Sequence, residues 1–406
     1  MGGKGALMAV AGATIASVGG TRVSVVAIPW LVLTTTGSPV LTGLVGMAEL
    51  LPYVVAKALA GPLIDRVGAR RISIWSDCLS ALAVALVPLL FWAGILSIWL
   101  LLPAVALLGI LRAPSDAAKQ ALVPSVAALG HMPLERVTGV LGVSDRLAGT
   151  LGVAGAGVLI ALMGTAPALL VNGLTFLLSA LLVWLGVPRA MPVEKTERTS
   201  YRADFAAGWA TLRNDPVLVG MVAMIAVTNL FDQAYAIVLL PVWVQGAGLE
   251  VTWVGLFLAT FSAGAIGGAA VAAAFAERLP RLAIYVIGFI CAGPSPMLAL
   301  AFALPVPAIL AILAVSGFAA GFLNPIIGAI LFERIPAPMV GRVIALVGAL
   351  AWALMPFGGL YAGVLVDYAG LSVALGLTGM LYLAAALSPL AIPRFRQMNR
   401  ARPARA

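Results

Sequence analysis

The 406-residue chain is 62% apolar and only 10% charged, with a net charge of +9. A soluble protein carries roughly 25% charged residues, so a soluble fold is excluded. The positive charges sit in short turns between apolar blocks, so no nucleic-acid partner is implied.

The apolar blocks are about 20 residues long, the length a helix needs to cross ~30 Å of hydrocarbon. The opening MGGKGALMAV places one lysine before a run that continues to Leu33 without a clear cleavage site. It therefore reads as a retained helix over 7–33, with Arg22 near mid-depth. The span over 40–62 holds Glu49 near mid-depth, Tyr53, and Lys57, which is near enough to the end to snorkel. Asp77 in 72–93, Arg112 in 98–122 and the pair Asp145-Arg146 in 138–162 fall in the cytoplasmic third; 166–187 is uncharged. Residues 189–215 form the longest connection. Its first part reads as a polar linker, whereas Phe205, Trp209 and Leu212 recur at helical spacing and predict a short helix on the cytoplasmic surface.

The second half repeats the pattern over 217–243, 252–275, 282–304, 307–331, 343–366 and 371–392. Asp232 stands near mid-depth in the seventh span, between Asn229 and Gln233, with no other Asp, Glu, Lys, Arg or His in that span. Asn324-Pro325 in the tenth invites a backbone kink facing a cavity. A basic tail occupies 394–406. The expected organisation is a six-helix domain over 1–188, a cytoplasmic linker over 189–215, a second six-helix domain over 216–393, and the tail.

Arginine and lysine crowd the turns after the even-numbered spans, and the turns after odd-numbered spans hold none. This alternation predicts an even number of spans with both termini in the cytoplasm. Arg136–Gly164 and Arg342–Gly370 align without gaps at an offset of 206, with nine of 29 positions identical. Two parallel halves related by an axis along the membrane normal are a transporter architecture. The single histidine, His131, and two separate cysteines, Cys78 and Cys291, offer no metal cluster or disulfide framework. No Walker-type phosphate loop or catalytic constellation is present, so an enzyme and a cofactor are not expected.

Gly61-Pro62-Leu63-Ile64-Asp65-Arg66-Val67-Gly68-Ala69-Arg70-Arg71 resembles the loop between the second and third helices of the major facilitator superfamily, and it lies at that location. Ala69 replaces one basic position of that motif. A weaker copy in the second half keeps Glu277 and Arg278. Thr36-Gly37-Ser38, Leu51-Pro52, Ala121-Leu122-Val123-Pro124, Asp204 to Pro216 and Ile335-Pro336 to Val343 resemble one branch of that superfamily, the exporters related to the enterobactin exporter and the macrolide-efflux proteins. Gly152 to Gly157 is similar to the antiporter stretch of helix 5, with Val153 in place of its proline.

The resemblance implies an all-α fold of twelve transmembrane helices in two pseudo-symmetric domains. It also implies alternating-access export of a small amphipathic or cationic molecule by a monomer in the inner membrane, with protons as the counter-substrate. Gly61, Asp65, Arg66, Gly68 and Arg70 then form a cytoplasmic gate. A charge within the bilayer costs at least ~2.5–3.5 kcal/mol, so each buried one needs a reason. Apolar surroundings favour the neutral form of a carboxyl, which lets proton and cationic substrate compete for it. Glu49 and Asp232 are the leading candidates, with Arg22, Arg112, Asp145 and Asp77 as further coupling or substrate residues. The alternatives are structural: Glu49 with Arg22, Arg112 with Asp116, and Asp145-Arg146 with Asp77 and Arg112. Tyr53, Asn229, Gln233 and Asn324 are candidate cavity residues. A lysophospholipid-type flippase and a non-transporting sensor remain alternative functions.

Overall fold

The computed structural model describes residues 3–189, 201–275, 280–336 and 339–398. Among these, twelve helices are long and apolar enough to cross a membrane. We number them α1 (Gly3–Thr36), α2 (Pro39–Val67), α3 (Ala69–Trp92), α4 (Ile98–Leu129), α5 (Arg136–Met163), α6 (Thr165–Gly186), α7 (Pro216–Gly246), α8 (Thr252–Phe275), α9 (Arg281–Ala301), α10 (Val306–Arg334), α11 (Leu346–Ala369) and α12 (Leu371–Ala391). A shorter unnumbered helix, Tyr201–Asn214, precedes α7. The chain is a multi-pass, all-α membrane protein. Glu277 and Arg278, residues 190–200 of the linker and residues 399–406 of the tail lie outside the described residues.

The helix breaks fall just before prolines. Turns interrupt α4 at Leu122, α9 at Gly293, α10 at Phe322 and α11 at Ala353-Leu354. Each turn comes one to three residues before a proline: Pro124, Pro294, Pro325 or Pro356. Proline lacks the N–H that would bond one turn back, and its ring crowds that carbonyl. The α10 break thus falls just before Asn324-Pro325, and Asn324 is exposed.

The chain groups into two compact units, Met1–Thr196 with Leu240–Ala259, and Glu197–Leu239 with Thr260–Ala406. In the first unit α1 packs on α5 and α6, α2 on α4, and α3 on α4 and α6. In the second, α7 packs on α11 and α12, and α9 on α10 and α12. The internal repeat has a direct structural meaning. A Cβ at Gly152 of α5 would lie 2.7 Å from the Gly19 carbonyl oxygen of α1. At the equivalent Gly358 of α11, it would lie 2.2 Å from the Leu230 carbonyl oxygen of α7. Both repeats therefore bring two backbones together where no side chain fits. Both also end at a glycine with positive φ, Gly164 at 84° and Gly370 at 80°.

The boundary between units falls at an irregularity in α7. Tyr235–Leu239 is a π-turn, and Leu240 onward groups with the first unit. Within that unit Leu240–Gly246 packs on α1. A Cβ at Gly157 of α5 would lie 3.0 Å from the Thr252 Cα of α8.

Asp215 starts α7. Its carboxylate accepts hydrogen bonds from the backbone N–H groups of Val217 at 2.9 Å and Leu218 at 3.3 Å, and from Arg334 Nε at 2.7 Å and Nη2 at 3.0 Å. Burial works against its charge, but the Arg334 and backbone hydrogen bonds prevail and hold the carboxyl below its usual range. Arg334 also donates to the Gln397 carbonyl at 3.3 Å. That carbonyl belongs to a 3-10 helix over Pro393–Met398, whose Phe395 is buried. A Cβ at Gly220 of α7 would lie 2.7 Å from the Phe395 ring, so Phe395 occupies the space left by that glycine.

Candidate functional site

The first unit joins Glu49, Arg112 and Tyr53 in one buried cluster. Its geometry follows from Gly109, where a Cβ would lie 2.2 Å from the Glu49 carbonyl oxygen. This contact brings α2 and α4 together, and Arg112, nearly one turn farther along, reaches the acid. Arg112 Nη1 donates to Glu49 Oε1 at 2.9 Å, and both residues are buried. Arg112 Nε is 3.9 Å from Asp116 Oδ2. The guanidinium also lies over the Tyr53 ring, 4.4 Å from its centroid. Tyr53 Oη donates to Asp116 Oδ2 at 2.9 Å and accepts from Lys57 Nζ at 3.3 Å. Arg112 thus stands between two acids, Glu49 and Asp116, while Lys57 reaches the Tyr53 hydroxyl. The partner of Glu49 is Arg112 rather than Arg22.

Arg22 stands apart. Its side chain makes no hydrogen bond or ion pair among the described residues, and its Nε is buried without a partner. The guanidinium lies beside Gly149 of α5, where a Cβ would be 3.7 Å from Nη2. Asp145, Asp116 and Arg112 act on it electrostatically. Asp145 and Arg146 are exposed and form no ion pair among the described residues.

Asp77 lies in a different network. Its Oδ1 accepts from Ser115 Oγ at 2.6 Å, and its Oδ2 accepts from Ser179 Oγ at 2.6 Å and lies 3.1 Å from Lys119 Nζ. Lys119 also donates to Ser17 Oγ at 2.8 Å. These residues tie α3, α4, α6 and α1 together, and all are buried. The expected pairing of Asp77 with Arg112 and Asp145-Arg146 is replaced by one with Lys119. The sequence does not single out Lys119, because a lysine near a span end resembles a topology charge. Ser115 and Ser179 carried no signal in a chain rich in small residues.

The motif forms the last turns of α2 rather than a loop: Gly61, Asp65 and Arg66 are helical and exposed, and Asp65 and Arg66 make no side-chain hydrogen bond among the described residues. Gly68 adopts φ 95° between α2 and α3. Arg70 donates through Nε to the Val187 carbonyl and through Nη2 to the Trp184 carbonyl, both at 2.6 Å. It thereby satisfies carbonyls at the end of α6, where a cation also complements the helix dipole.

The second unit holds an acid at mid-helix with no ion-pair partner among the described residues. Asp232 stands in the middle of α7, and its residue surface is open to solvent-sized molecules. Its only side-chain hydrogen bond among the described residues is a long one, accepted at 3.5 Å from the Tyr382 hydroxyl of α12. Tyr382 is buried, and its ring fills the space at Gly293, where a Cβ would lie 2.1 Å from the ring. Phe231 packs against Tyr361 and Tyr382, with ring centroids 5.8 and 6.1 Å away, and Tyr361 exchanges a hydrogen bond with Thr378 at 3.2 Å. Asn229 Nδ2 donates to the Ala351 carbonyl at 2.9 Å. Gln233 lies beside Gly358, at the contact between α7 and α11. Tyr382 is the one aromatic residue of the last span, and nothing else in the sequence marks it as a partner for Asp232.

Asp232, Glu49 and Arg112 are thus at mid-helix, while Asp77 is enclosed by donors. No group of three metal-ligating side chains occurs among the described residues.

Comparison with known proteins agrees with this architecture. The family model described as Major Facilitator Superfamily matches residues 10–292 and 222–405. The multidrug efflux pump Tap of Mycolicibacterium fortuitum is 30% identical over 408 residues, covering 98% of each chain. The pump of the same name from Mycobacterium bovis is 31% identical, over 95% of this chain and 93% of its own. Among solved structures, the nucleoside transporter NupG matches with a TM-score of 0.72 at 13% identity, covering 98% of this chain and 100% of that one. A bacterial homolog of the human lysosomal transporter Spinster matches with a TM-score of 0.69 at 14% identity, over 97% and 92%. Twelve spanning helices, two repeated halves and these matches together make the chain a membrane transporter, not an enzyme, and a member of the Major Facilitator Superfamily.

Proposed function

We propose that the protein exports small amphipathic or cationic molecules across the cell's inner membrane in exchange for protons, by alternating access, as a monomer with both termini in the cytoplasm. The observation that carries this reading is Asp232, an acid at mid-helix with no cation beside it among the described residues and one long hydroxyl contact. An ionised carboxylate there is costly, so it needs a counter-charge or a proton. A cationic substrate supplies the first and inward proton flow the second. The two then exclude each other on one group, which is the requirement for antiport. Full-length relatives named as multidrug efflux pumps support the direction of transport and the broad substrate class.

Glu49 is a different kind of acid, because Arg112 already balances it. Protonation of Glu49 would release Arg112 toward Asp116, which lies 3.9 Å away and is held by Tyr53. In this reading Asp232 exchanges proton for substrate, and the Glu49–Arg112–Asp116 group is a second, rearranging proton site. Asp77 is an anchor between helices. The α2–α3 junction over Gly61–Arg71 acts as a gate on the cytoplasmic side.

The test uses the purified full chain in liposomes with an acidic lumen and a pH-sensitive dye. Addition of ethidium should release the gradient with wild type, and Asp232→Asn should lose this response while keeping its folded yield. Glu49→Gln should slow it. Full substrate-induced proton release by Asp232→Asn would overturn the assignment.

A further inference from the structure

We infer that Arg22 is the docking point for an anionic group, a carboxylate, phosphate or sulfonate carried on an otherwise apolar molecule. The inference rests on the transport reading above and adds a second ligand chemistry to it.

The other cations of the first unit's interior are each engaged. Arg112 is bonded to Glu49, Lys119 to Asp77 and Ser17, and Lys57 to Tyr53. Arg22 alone among these four has no hydrogen-bond acceptor among the described residues. A guanidinium offers five donors in a planar fork that matches carboxylate and phosphate oxygens. Keeping it in the middle of a membrane helix with none of them used is costly. A buried Nε without a partner is a rarity in native structures and calls for an occupant.

The surroundings are built to present this fork. Gly152 leaves room for the Arg22 stem, since a Cβ there would lie 3.0 Å from the Arg22 Cβ. Gly149 lies beside the guanidinium, with its Cβ position 3.7 Å from Nη2 and 3.8 Å from Nε. One side of the group is thus covered by helix backbone that offers no acceptor. The residue remains partly exposed, so a ligand can reach it. Glu49 is paired with Arg112, and Asp116 accepts from Tyr53 with Arg112 3.9 Å away, which leaves Asp145 as the carboxylate that competes for Arg22 from beyond ion-pair distance. An arriving anion would form short charge-assisted hydrogen bonds that Asp145 does not make.

Two probes with one apolar body and opposite heads test this: 1-pyrenebutyrate and 1-pyrenebutylamine, titrated by fluorescence anisotropy against the full-length protein in phosphatidylcholine nanodiscs at pH 7. Arg22→Gln should weaken pyrenebutyrate about tenfold, as expected for losing a charged hydrogen-bonded pair, and leave pyrenebutylamine within about twofold. Arg22→Lys should keep most of the pyrenebutyrate binding, and Asp145→Asn should tighten it. Failure of wild type to bind pyrenebutyrate, or equal weakening of both probes by Arg22→Gln, would overturn the proposal. Loss of pyrenebutylamine binding in Asp232→Asn bears on the export reading and leaves the Arg22 comparison intact. Repeating the titration with phosphatidylglycerol in the disc identifies the source of the anion. Displacement of pyrenebutyrate points to a lipid headgroup, and persistence points to the transported molecule.

Discussion

At the residue scale, the same type of side chain takes opposite roles according to its partners. Asp77 and Asp232 are both acids within membrane helices, and the sequence marks both as expensive. Asp77 is surrounded by Ser115, Ser179 and Lys119, so its charge is fully matched. Asp232 has one distant hydroxyl. The difference predicts different failures. Lys119→Met strands a buried carboxylate and should cost about 3–5 kcal/mol, seen as a large fall in the melting temperature of the detergent-purified protein. Adding Asp77→Asn to that variant should recover much of the loss. Asp232→Asn should leave melting nearly unchanged, because no ion pair is broken. These acids were visible in the sequence because a charge in an apolar run stands out. Their partners were not, because Lys119 sits where a positive charge normally marks topology and Tyr382 looks like one more aromatic residue.

Asp215 lies outside the spans and gives a pH signature. Its carboxyl is held below the usual range by Arg334 and the α7 backbone, so the unfolded state takes up a proton more readily than the folded one. The stabilisation is therefore complete above the unfolded value of about 4 and is lost as pH falls through the lower folded value. Asparagine caps a helix about as well as aspartate, so Asp215→Asn isolates the pairing with Arg334. The melting difference between wild type and Asp215→Asn should be steady near neutral pH and shrink as the pH drops below about 4.

At the element scale, helix lengths and order follow from hydropathy, whereas helix contacts follow from single glycines. Every predicted span corresponds to a helix, with ends shifted by a few residues, because a 20-residue apolar block has no other way to satisfy its backbone in lipid. The breaks in α4, α9, α10 and α11 are harder to read. Pro29, Pro52 and Pro88 lie inside unbroken helices, so proline alone does not mark a break. The repeat made Gly152 and Gly358 visible as identities, and only the packing of α5 on α1 and of α11 on α7 explains them. Gly358→Ala places a methyl against the Leu230 carbonyl, next to Asp232, and should destabilise by about 1–3 kcal/mol with impaired transport. Gly348→Ala is the control, since nothing lies within 4 Å of its Cβ position. It should melt with wild type or slightly above, and equal losses in both variants would show that the close approach is not what matters.

At the scale of the whole molecule, two kinds of information are separable. The linear division near residues 189–215 follows polarity and charge, whereas the compact units exchange Leu240–Ala259 at the π-turn and within α8. Nothing in the composition of α7 or α8 marks that exchange, because the grouping depends on which backbones meet, such as Gly157 of α5 with Thr252. Orientation, by contrast, is a property of charge along the chain. The arginines and lysines of the even-numbered turns resist transfer across the membrane and should hold those turns inside. Single cysteines introduced after replacing Cys78 and Cys291 by serine would test this on intact cells with a membrane-impermeant maleimide. Thr36 lies at the α1–α2 turn, Ala247 lies at the α7–α8 turn, and Ala128 lies at the inner end of α4 on this reading; all three are exposed. Cysteine at 36 and 247 should label from outside, and cysteine at 128 only after permeabilisation. Labelling at 128 on sealed cells would reverse the orientation and, with it, the direction in which Asp232 could exchange protons for substrate.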